Sequence, residues 1–224
     1  MQAVKARRSS ALRELAEQQQ ERREVAEEAE IETVTDLAWE SPLQIIRYPD
    51  PRLRARNARI GVFDERLARL SRELFEVMYN GDDGVGLAAP QVGVNVRVMV
   101  FNPTGRRGGE EVTLVNPRVL SVGRARELGE EGCLSFPQIF APVERAYRVK
   151  VRAQDLTGQP LTLTLTDWRA RIFQHEFDHL QGVLFHDRMA HAALESVREK
   201  LVALEEEYLR AHPGAPVQRV PQPS

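Results

Sequence analysis

Residues 174–182 read Gln174-His175-Glu176-Phe177-Asp178-His179-Leu180-Gln181-Gly182. On an α-helix, a spacing of four places the imidazoles of His175 and His179 one turn apart on the same face, where both can bind one divalent cation. Glu176 follows the first imidazole, and in this motif a carboxylate at that position moves protons to and from water. The stretch therefore predicts a central metal-binding helix. A catalytic metal normally has three protein ligands, so a third must come from elsewhere in the chain.

Length and composition exclude several classes of protein. The 224 residues are enough for one domain of ordinary size with a substantial core. A formal net charge of -2 gives no general sign of nucleic-acid binding, so we expect no direct sequence-specific contact with nucleic acid. No apolar run approaches the roughly 20 residues of a membrane span, so we expect no membrane association. With one cysteine, the chain cannot form an internal disulfide.

Composition divides the chain into three segments. Residues 1–41 begin with a basic, serine-containing stretch that slightly resembles an organelle transit sequence or the remainder of one, and continue as a Glu- and Gln-rich segment. We expect this extension to be a solvated helix or a disordered arm, with partner binding as the alternative. Residues 42–211 are predicted to be globular, and residues 212–224 to be a Pro-rich disordered tail.

Hydrophobic periodicity predicts both helices and strands in the globular segment. Steps of three and four between apolar residues predict an amphipathic helix from about Asp64 to Tyr79. A charged helix is predicted from Ala190 to Arg210. Asp167 is expected to cap the metal-binding helix, and Gly182 to end it. Alternation with a period of two predicts extended segments at 96–100, 112–115 and 120–128, and a hairpin of 149–153 with 161–165. Residues 183–185 are predicted to be a short apolar strand or turn.

Three positions are candidates for the third metal ligand. In metzincin peptidases the motif continues to a final histidine. Gly182 fits that continuation, but the histidine position is Phe185, and His186 is displaced by one residue. Glu195 could serve another peptidase class. Cys133 is the best candidate, because it lies beside a glycine that allows close approach to the metal helix and its thiolate is a strong ligand, although a lone cysteine is often a small buried apolar residue.

Three segments resemble the signature motifs of the peptide deformylase family, in the same order. The segments are Gly84-Val85-Gly86-Leu87-Ala88-Ala89-Pro90-Gln91, Glu131-Gly132-Cys133-Leu134-Ser135 and Gln174-His175-Glu176-Phe177-Asp178-His179. The resemblance covers residues 42–211, which it identifies as the catalytic domain. Residues 136–141 and 171–173 are more similar to the plant-organelle (type 1B-like) subclass than to the enterobacterial type. The latter tends to carry Arg where Phe140 stands, so a substrate contact by that Arg is not expected here.

The resemblance implies an α+β fold, with mostly antiparallel sheets packed around the central HExxH helix and a charged C-terminal helix. It implies a metal-dependent hydrolase that removes the N-formyl group from the initiator methionine of nascent polypeptides and releases formate. Fe2+ is the expected metal, with Zn2+, Ni2+ or Co2+ able to replace it. Glu176 would take a proton from the attacking water and deliver it to the leaving amine. The implied metal ligands are Cys133, His175 and His179.

The same resemblance assigns roles around the metal. The side-chain amide of Gln91 and the backbone N–H of Leu134 would stabilise the tetrahedral oxyanion. Val85 and Gly86 would pair with the backbone of the substrate peptide. Residues expected to orient or support the site rather than touch substrate are Gln174, Asp178, and the ion pair of Glu131 with Arg145.

Two other functions are alternatives. A zinc metallopeptidase acting on internal peptide bonds would need a third ligand after His179. A ribosome- or partner-binding protein with a structural metal would normally need four protein ligands. The helix at 190–210 is the candidate ribosome contact. The basic start and the organelle-type motifs favour a plastid location, with the mitochondrion or a bacterial cytoplasm as alternatives.

Overall fold

The computed structural model describes residues 31–81 and 84–221. The chain divides into two compact units, residues 1–33 and residues 34–224. Only residues 31–33 of the first unit are described, so the predictions for the N-terminal extension fall mostly outside the described residues. Among the helices described, none is both long and apolar enough to cross a membrane.

The described residues form three α-helices and nine strands. The helices are α1 (Glu65–Asn80), α2 (Asp167–Leu180) and α3 (His191–Ala211). The strands are β1 (Thr33–Val34), β2 (Arg59–Ile60), β3 (Gly86–Ala88), β4 (Val98–Phe101), β5 (Val112–Val122), β6 (Arg126–Cys133), β7 (Phe136–Ala146), β8 (Arg148–Gln154) and β9 (Pro160–Thr166). An α+β architecture with antiparallel sheets is therefore confirmed.

A five-stranded antiparallel sheet in the order β3-β4-β5-β8-β9 forms one wall of the domain. Strands β8 and β9 alternate apolar and polar residues, as β8 shows with Val149 and Val151 buried between exposed neighbours, whereas β3 and β4 are buried at every residue. The predicted hairpin is confirmed, because β8 and β9 pair from Arg148–Thr166 to Gln154–Pro160. The segment predicted at 112–115 is the first part of a strand that continues to Val122.

The hairpin of β6 and β7 forms a separate two-stranded sheet and carries Cys133 at its tip. The two strands pair from Arg126–Ala146 to Cys133–Phe136, with a register shift after Gly132. The extended segment predicted at 120–128 is not one strand. It ends β5 and begins β6, because the chain leaves the first sheet at Gly123, whose N–H donates to the carbonyl of Arg148.

Helix α1 begins where the sequence predicts. The carboxylate of Asp64 accepts hydrogen bonds from the backbone N–H groups of Arg66 and Leu67, which have no partner within the helix. The predicted apolar stripe is buried against the five-stranded sheet through Leu67, Leu70, Leu74 and Met78.

Helix α2, which carries residues 174–180, packs on the inner side of the five-stranded sheet. The prediction that Asp167 caps this helix is wrong. Strand β9 runs into the helix without a loop, so Thr166 occupies the cap position and Asp167, with φ of 53°, is the first helical residue. Gly182 follows the helix with φ of 69°, a left-handed conformation suited to glycine.

A third apolar cluster joins α3 to the β6–β7 hairpin and to the segment around Tyr48. No strand forms at 183–185; Phe185 instead starts a 3-10 helix that ends at Arg188. Residues 212–221 lack a regular strand or helix, but Val220 is only 3% exposed within this cluster. The buried carboxylate of Glu205 accepts hydrogen bonds from the Val220 N–H and the Tyr48 hydroxyl. This part of the predicted disordered tail is therefore attached to the domain.

Candidate metal centre

The fold brings together one thiol and two imidazoles. The ligand atoms of Cys133, His175 and His179 all lie within 4.8 Å of one another. The Sγ atom of Cys133 is 3.4 Å from Nε2 of His179, and the two imidazole centroids are 5.2 Å apart. The hairpin tip supplies the sulfur and two successive turns of α2 supply the rings. Neither His186 nor Glu195 belongs to this group among the described residues.

Glu131 fixes the orientation of the first imidazole. Its Oε2 atom lies 2.9 Å from Nδ1 of His175. Burial raises the pKa of Glu131, but hydrogen bonds from His175 and Arg145 outweigh that effect and hold the pKa at about 2. The carboxylate is therefore ionised and can only accept, so Nδ1 carries the proton and the lone pair of Nε2 is left for a metal.

Glu131 in turn is held by two arginines. Arg145 donates from Nε at 2.9 Å and from Nη2 at 3.0 Å, and its Nη1 donates to Asp178 at 2.5 Å. Arg188 donates twice to the same Asp178 carboxylate. The ion pair of Glu131 with Arg145 expected from the sequence is present, and Asp178 supports it from α2.

Arg171 is the second arginine, and the sequence motifs did not predict its role. It donates to Glu131 at 2.8 Å and to the backbone carbonyls of Val143 and Glu127, which lie on the two hairpin strands. An ideal Cβ at Gly129 would lie 2.8 Å from the Arg171 guanidinium, so glycine gives that group its space. Arg171 lies one turn before His175 on the same helix face, and this spacing was the feature of the sequence that could have predicted its role beside the site.

Glu176 is buried beside the three donors. Burial raises its pKa to about 7, although His175 acts in the opposite direction. Its Oε2 atom has no hydrogen-bond partner among the described residues. An ideal Cβ at Gly86 would lie 2.5 Å from the Oε1 atom of Glu176, so glycine is what allows β3 to pass directly over this carboxylate.

Gln91 points its amide NH2 group at the centre. Its Oε1 atom accepts a hydrogen bond of 2.8 Å from the N–H of Ala88, so the amide orientation is fixed. Its Nε2 atom is then 3.5 Å from Sγ of Cys133 and 3.4 Å from the hydroxyl oxygen of Ser135. Leu134, half-buried, lies next to Cys133 in the turn between β6 and β7.

Strand β3 borders the centre and is an edge of the described sheet. Gly86 pairs with Phe101 of β4, and the carbonyl of Val85 accepts from the N–H of Asn102. An edge strand can pair with an extended peptide on its other side. Gln174 lies on α2 and is hydrogen-bonded through its amide to both backbone groups of Ala146, which ties the helix to the end of β7.

The donor set fits a divalent transition metal. A thiolate with imidazoles suits Zn2+ and Fe2+, and three protein donors leave a position for water. Glu176, whose Oε2 atom has no hydrogen-bond partner among the described residues, could accept a proton from that water.

Comparison with known proteins identifies the family. Residues 42–195 match the family model described as polypeptide deformylase. The chain is 55% identical over 184 residues to the chloroplastic peptide deformylase 1B of Oryza sativa subsp. japonica, covering 82% of this chain and 68% of the relative. It is 52% identical over 179 residues to the chloroplastic/mitochondrial peptide deformylase 1B of Arabidopsis thaliana, covering 80% of this chain and 65% of the relative.

A crystal structure of plant peptide deformylase 1B superposes with a TM-score of 0.79 at 50% sequence identity. The match covers 83% of this chain and 100% of that chain. The chain thus spans 68% and 65% of the two plant relatives, but it matches the whole of the solved plant structure.

Proposed function

This chain belongs to the peptide deformylase family, and from that premise we propose that it removes the N-formyl group from the initiator methionine of nascent polypeptides and releases formate. The observation that carries the proposal is the convergence of Cys133, His175 and His179 beside the buried carboxylate of Glu176. These groups are what metal-assisted amide hydrolysis requires, namely a metal site with an open position and an adjacent proton carrier.

Cys133, His175 and His179 would hold the metal, with Glu131 keeping the first imidazole in the ligating tautomer. When bound, the metal supplies the Lewis acidity that makes water nucleophilic near neutral pH. We assign Fe2+ as the physiological metal and Zn2+, Ni2+ or Co2+ as replacements. One thiolate and two imidazoles accept all four ions, so the metal is assigned from the family.

Glu176 is the acid and base of the proposed reaction. A carboxyl group with a pKa of about 7 exists in both protonation states at neutral pH, so it can accept the proton of water and later give it to the leaving amine. Burial keeps competing water away from the carboxylate.

Two donors are assigned to the oxyanion that forms when water adds to the formyl carbon. The amide NH2 of Gln91 is already oriented by the Ala88 N–H, so it needs no rearrangement to donate. The backbone N–H of Leu134 lies beside the metal-ligating sulfur and is the second donor. Each such donor is worth roughly 3–4 kcal/mol in the transition state.

Val85 and Gly86 are assigned to substrate binding. Gly86 begins edge strand β3 and Val85 directly precedes it, so their backbone groups can pair with an extended peptide. Because Gly86 lies against Glu176, a peptide paired there would have its formyl end next to the proton carrier.

Location and partners follow from the family. We propose that the protein acts in plastids, because the rice relative is named chloroplastic and the Arabidopsis relative chloroplastic/mitochondrial. Its substrates would be formyl-methionyl nascent chains, so contact with the ribosome is part of the proposal. Helix α3 carries five acidic and three basic residues, which suits contact with a ribosomal protein more than with RNA.

The test is formate release from a formyl-methionyl tripeptide by the metal-loaded protein. Its acetylated counterpart is the control, because it differs only in the acyl group. We expect turnover of the formyl peptide alone. Equal turnover of both peptides, or cleavage of an internal peptide bond in an unblocked peptide, would contradict the proposed specificity.

A further inference from the structure

The outer face of the five-stranded sheet carries a row of basic side chains. Arg148, Lys150 and Arg152 alternate along β8 with buried residues and are exposed. These three residues form the basic face.

Acidic side chains do not balance the basic face. Within residues 31–81 and 84–221, Arg148, Lys150 and Arg152 form no ion pair with a carboxylate. The residues opposite them include hydroxyl side chains, Ser121 on β5 and Thr162, Thr164 and Thr166 on β9. The arginines around the metal centre differ, since Arg145 and Arg188 each bind a carboxylate.

Stability does not explain this arrangement. Alternate positions on one strand are about 7 Å apart, within the distance at which exposed like charges still repel. The three charges of β8 therefore repel one another along the strand. A partner of opposite charge would relieve this repulsion.

We propose that the basic face binds the phosphate backbone of RNA. The spacing of alternate residues along β8 is close to that of successive phosphates in an extended strand, and the flanking hydroxyls can also donate to phosphate oxygens. Such contacts read charge and not bases, which agrees with the expected lack of sequence-specific binding. The choice of RNA rests on the proposed function, because an enzyme acting on nascent chains works beside ribosomal RNA.

Two other surfaces and partners fit less well. Helix α3 has more acidic than basic residues, so it would be repelled by RNA. An anionic membrane would need apolar side chains beside the basic ones to enter the lipid, but the positions flanking β8 on β9 are threonines. The basic face therefore fits a hydrated polyanion.

The test uses the full chain and a fluorescein-labelled oligouridylate of about 20 nucleotides as the probe, with binding followed by fluorescence anisotropy at several salt concentrations. The triple variant Arg148→Gln, Lys150→Gln, Arg152→Gln removes three charges. We expect the slope of log K against log salt to shrink by about 2, and affinity at about 0.1 M salt to fall on the order of 100-fold. The matched control removes three exposed charges elsewhere: Arg47→Gln, Arg56→Gln, Arg219→Gln.

The control should keep the slope of the unmodified chain. An unchanged slope in the basic-face variant, or an equal loss in the control, would overturn the proposal. So would binding to phosphatidylglycerol vesicles with no binding to RNA. Formate release by the same preparations should be unaffected by either triple variant, and its absence in all of them would count against the proposed function while leaving the binding result standing.

Discussion

Replacing Glu131 by Gln should weaken both the fold and the metal site. The carboxylate is 6% exposed and accepts hydrogen bonds from Arg145, Arg171 and His175. Glutamine has nearly the same shape, but its neutral amide leaves Arg171 without a charged partner among the described residues. It also allows the amide NH2 to face the imidazole, which would favour the wrong tautomer.

The magnitude follows from the burial of the ion pair. Breaking a buried pair by removing one charge costs about 3–5 kcal/mol. For a domain of this size each kcal/mol lowers Tm by about 2–4 °C, so we expect a fall of about 6–20 °C. Loss of the carboxylate behind a metal-ligating histidine typically costs about 10- to 100-fold in metal affinity.

The effect should depend on pH in a defined direction. The pKa of Glu131 in the folded protein is about 2, below its ordinary value, so the charged form stabilises the fold. That contribution is fully present above the pKa of the unfolded chain, about 4.3, and is lost as pH falls toward 2. In metal-free protein, the difference in Tm between the unmodified chain and Glu131→Gln should therefore shrink over this interval.

The assay combines thermal unfolding of the metal-free protein with titration of Zn2+ against a competing chelator. Glu130→Gln is the matched control, since it makes the same chemical change at the adjacent, exposed residue and should change neither quantity. If Glu131→Gln bound Zn2+ as tightly as Glu130→Gln, the proposed orientation of His175 by Glu131 would be refuted.

Three further predictions test other parts of the structure. Glu176→Gln should keep its metal content, measured by mass spectrometry, but lose about 10²- to 10⁴-fold in formate release; near-full activity would exclude the acid–base role. Gly86→Ala should lower kcat/KM on the order of 100-fold, because its Cβ displaces Glu176, and unchanged kinetics would show that the close approach does not matter. Val220→Ala should lower Tm by about 3–6 °C, since about two buried carbon groups are lost, whereas a free tail predicts no change.

The local patterns of the sequence predicted the helices and the best-alternating strands. Helix α1 could be placed because its apolar stripe and its cap at Asp64 both lie within one segment. The prediction at Asp167 failed because sequence alone did not show that β9 enters the helix without a loop. Only the first part of β5 was predicted as one strand. The residues from Arg118 to Val122 are partly or fully exposed and do not alternate regularly between buried and exposed positions.

The sequence predicted those residues of the candidate site whose spacing itself indicates metal binding. His175 and His179 are four apart on one helix, so the sequence alone places them together, and Cys133 was added by elimination and by its motif. Arg171 was missed because its partners come from a hairpin 28 or more residues earlier in the chain. The docking of Val220 onto Glu205 was missed because a Pro-rich composition predicts the average behaviour of a tail and not one anchoring contact.

Cobalt absorption spectroscopy tests the metal site most directly. The chain has one cysteine, so any absorption from charge transfer between a thiolate and Co2+ must come from Cys133. Adding Co2+ to the metal-free protein should produce this band with saturation at one equivalent, and His179→Ala should weaken binding strongly. If the band is absent from the folded protein, or if Cys133→Ala binds Co2+ with the same spectrum, Cys133 is not a ligand and the proposed metal site is wrong.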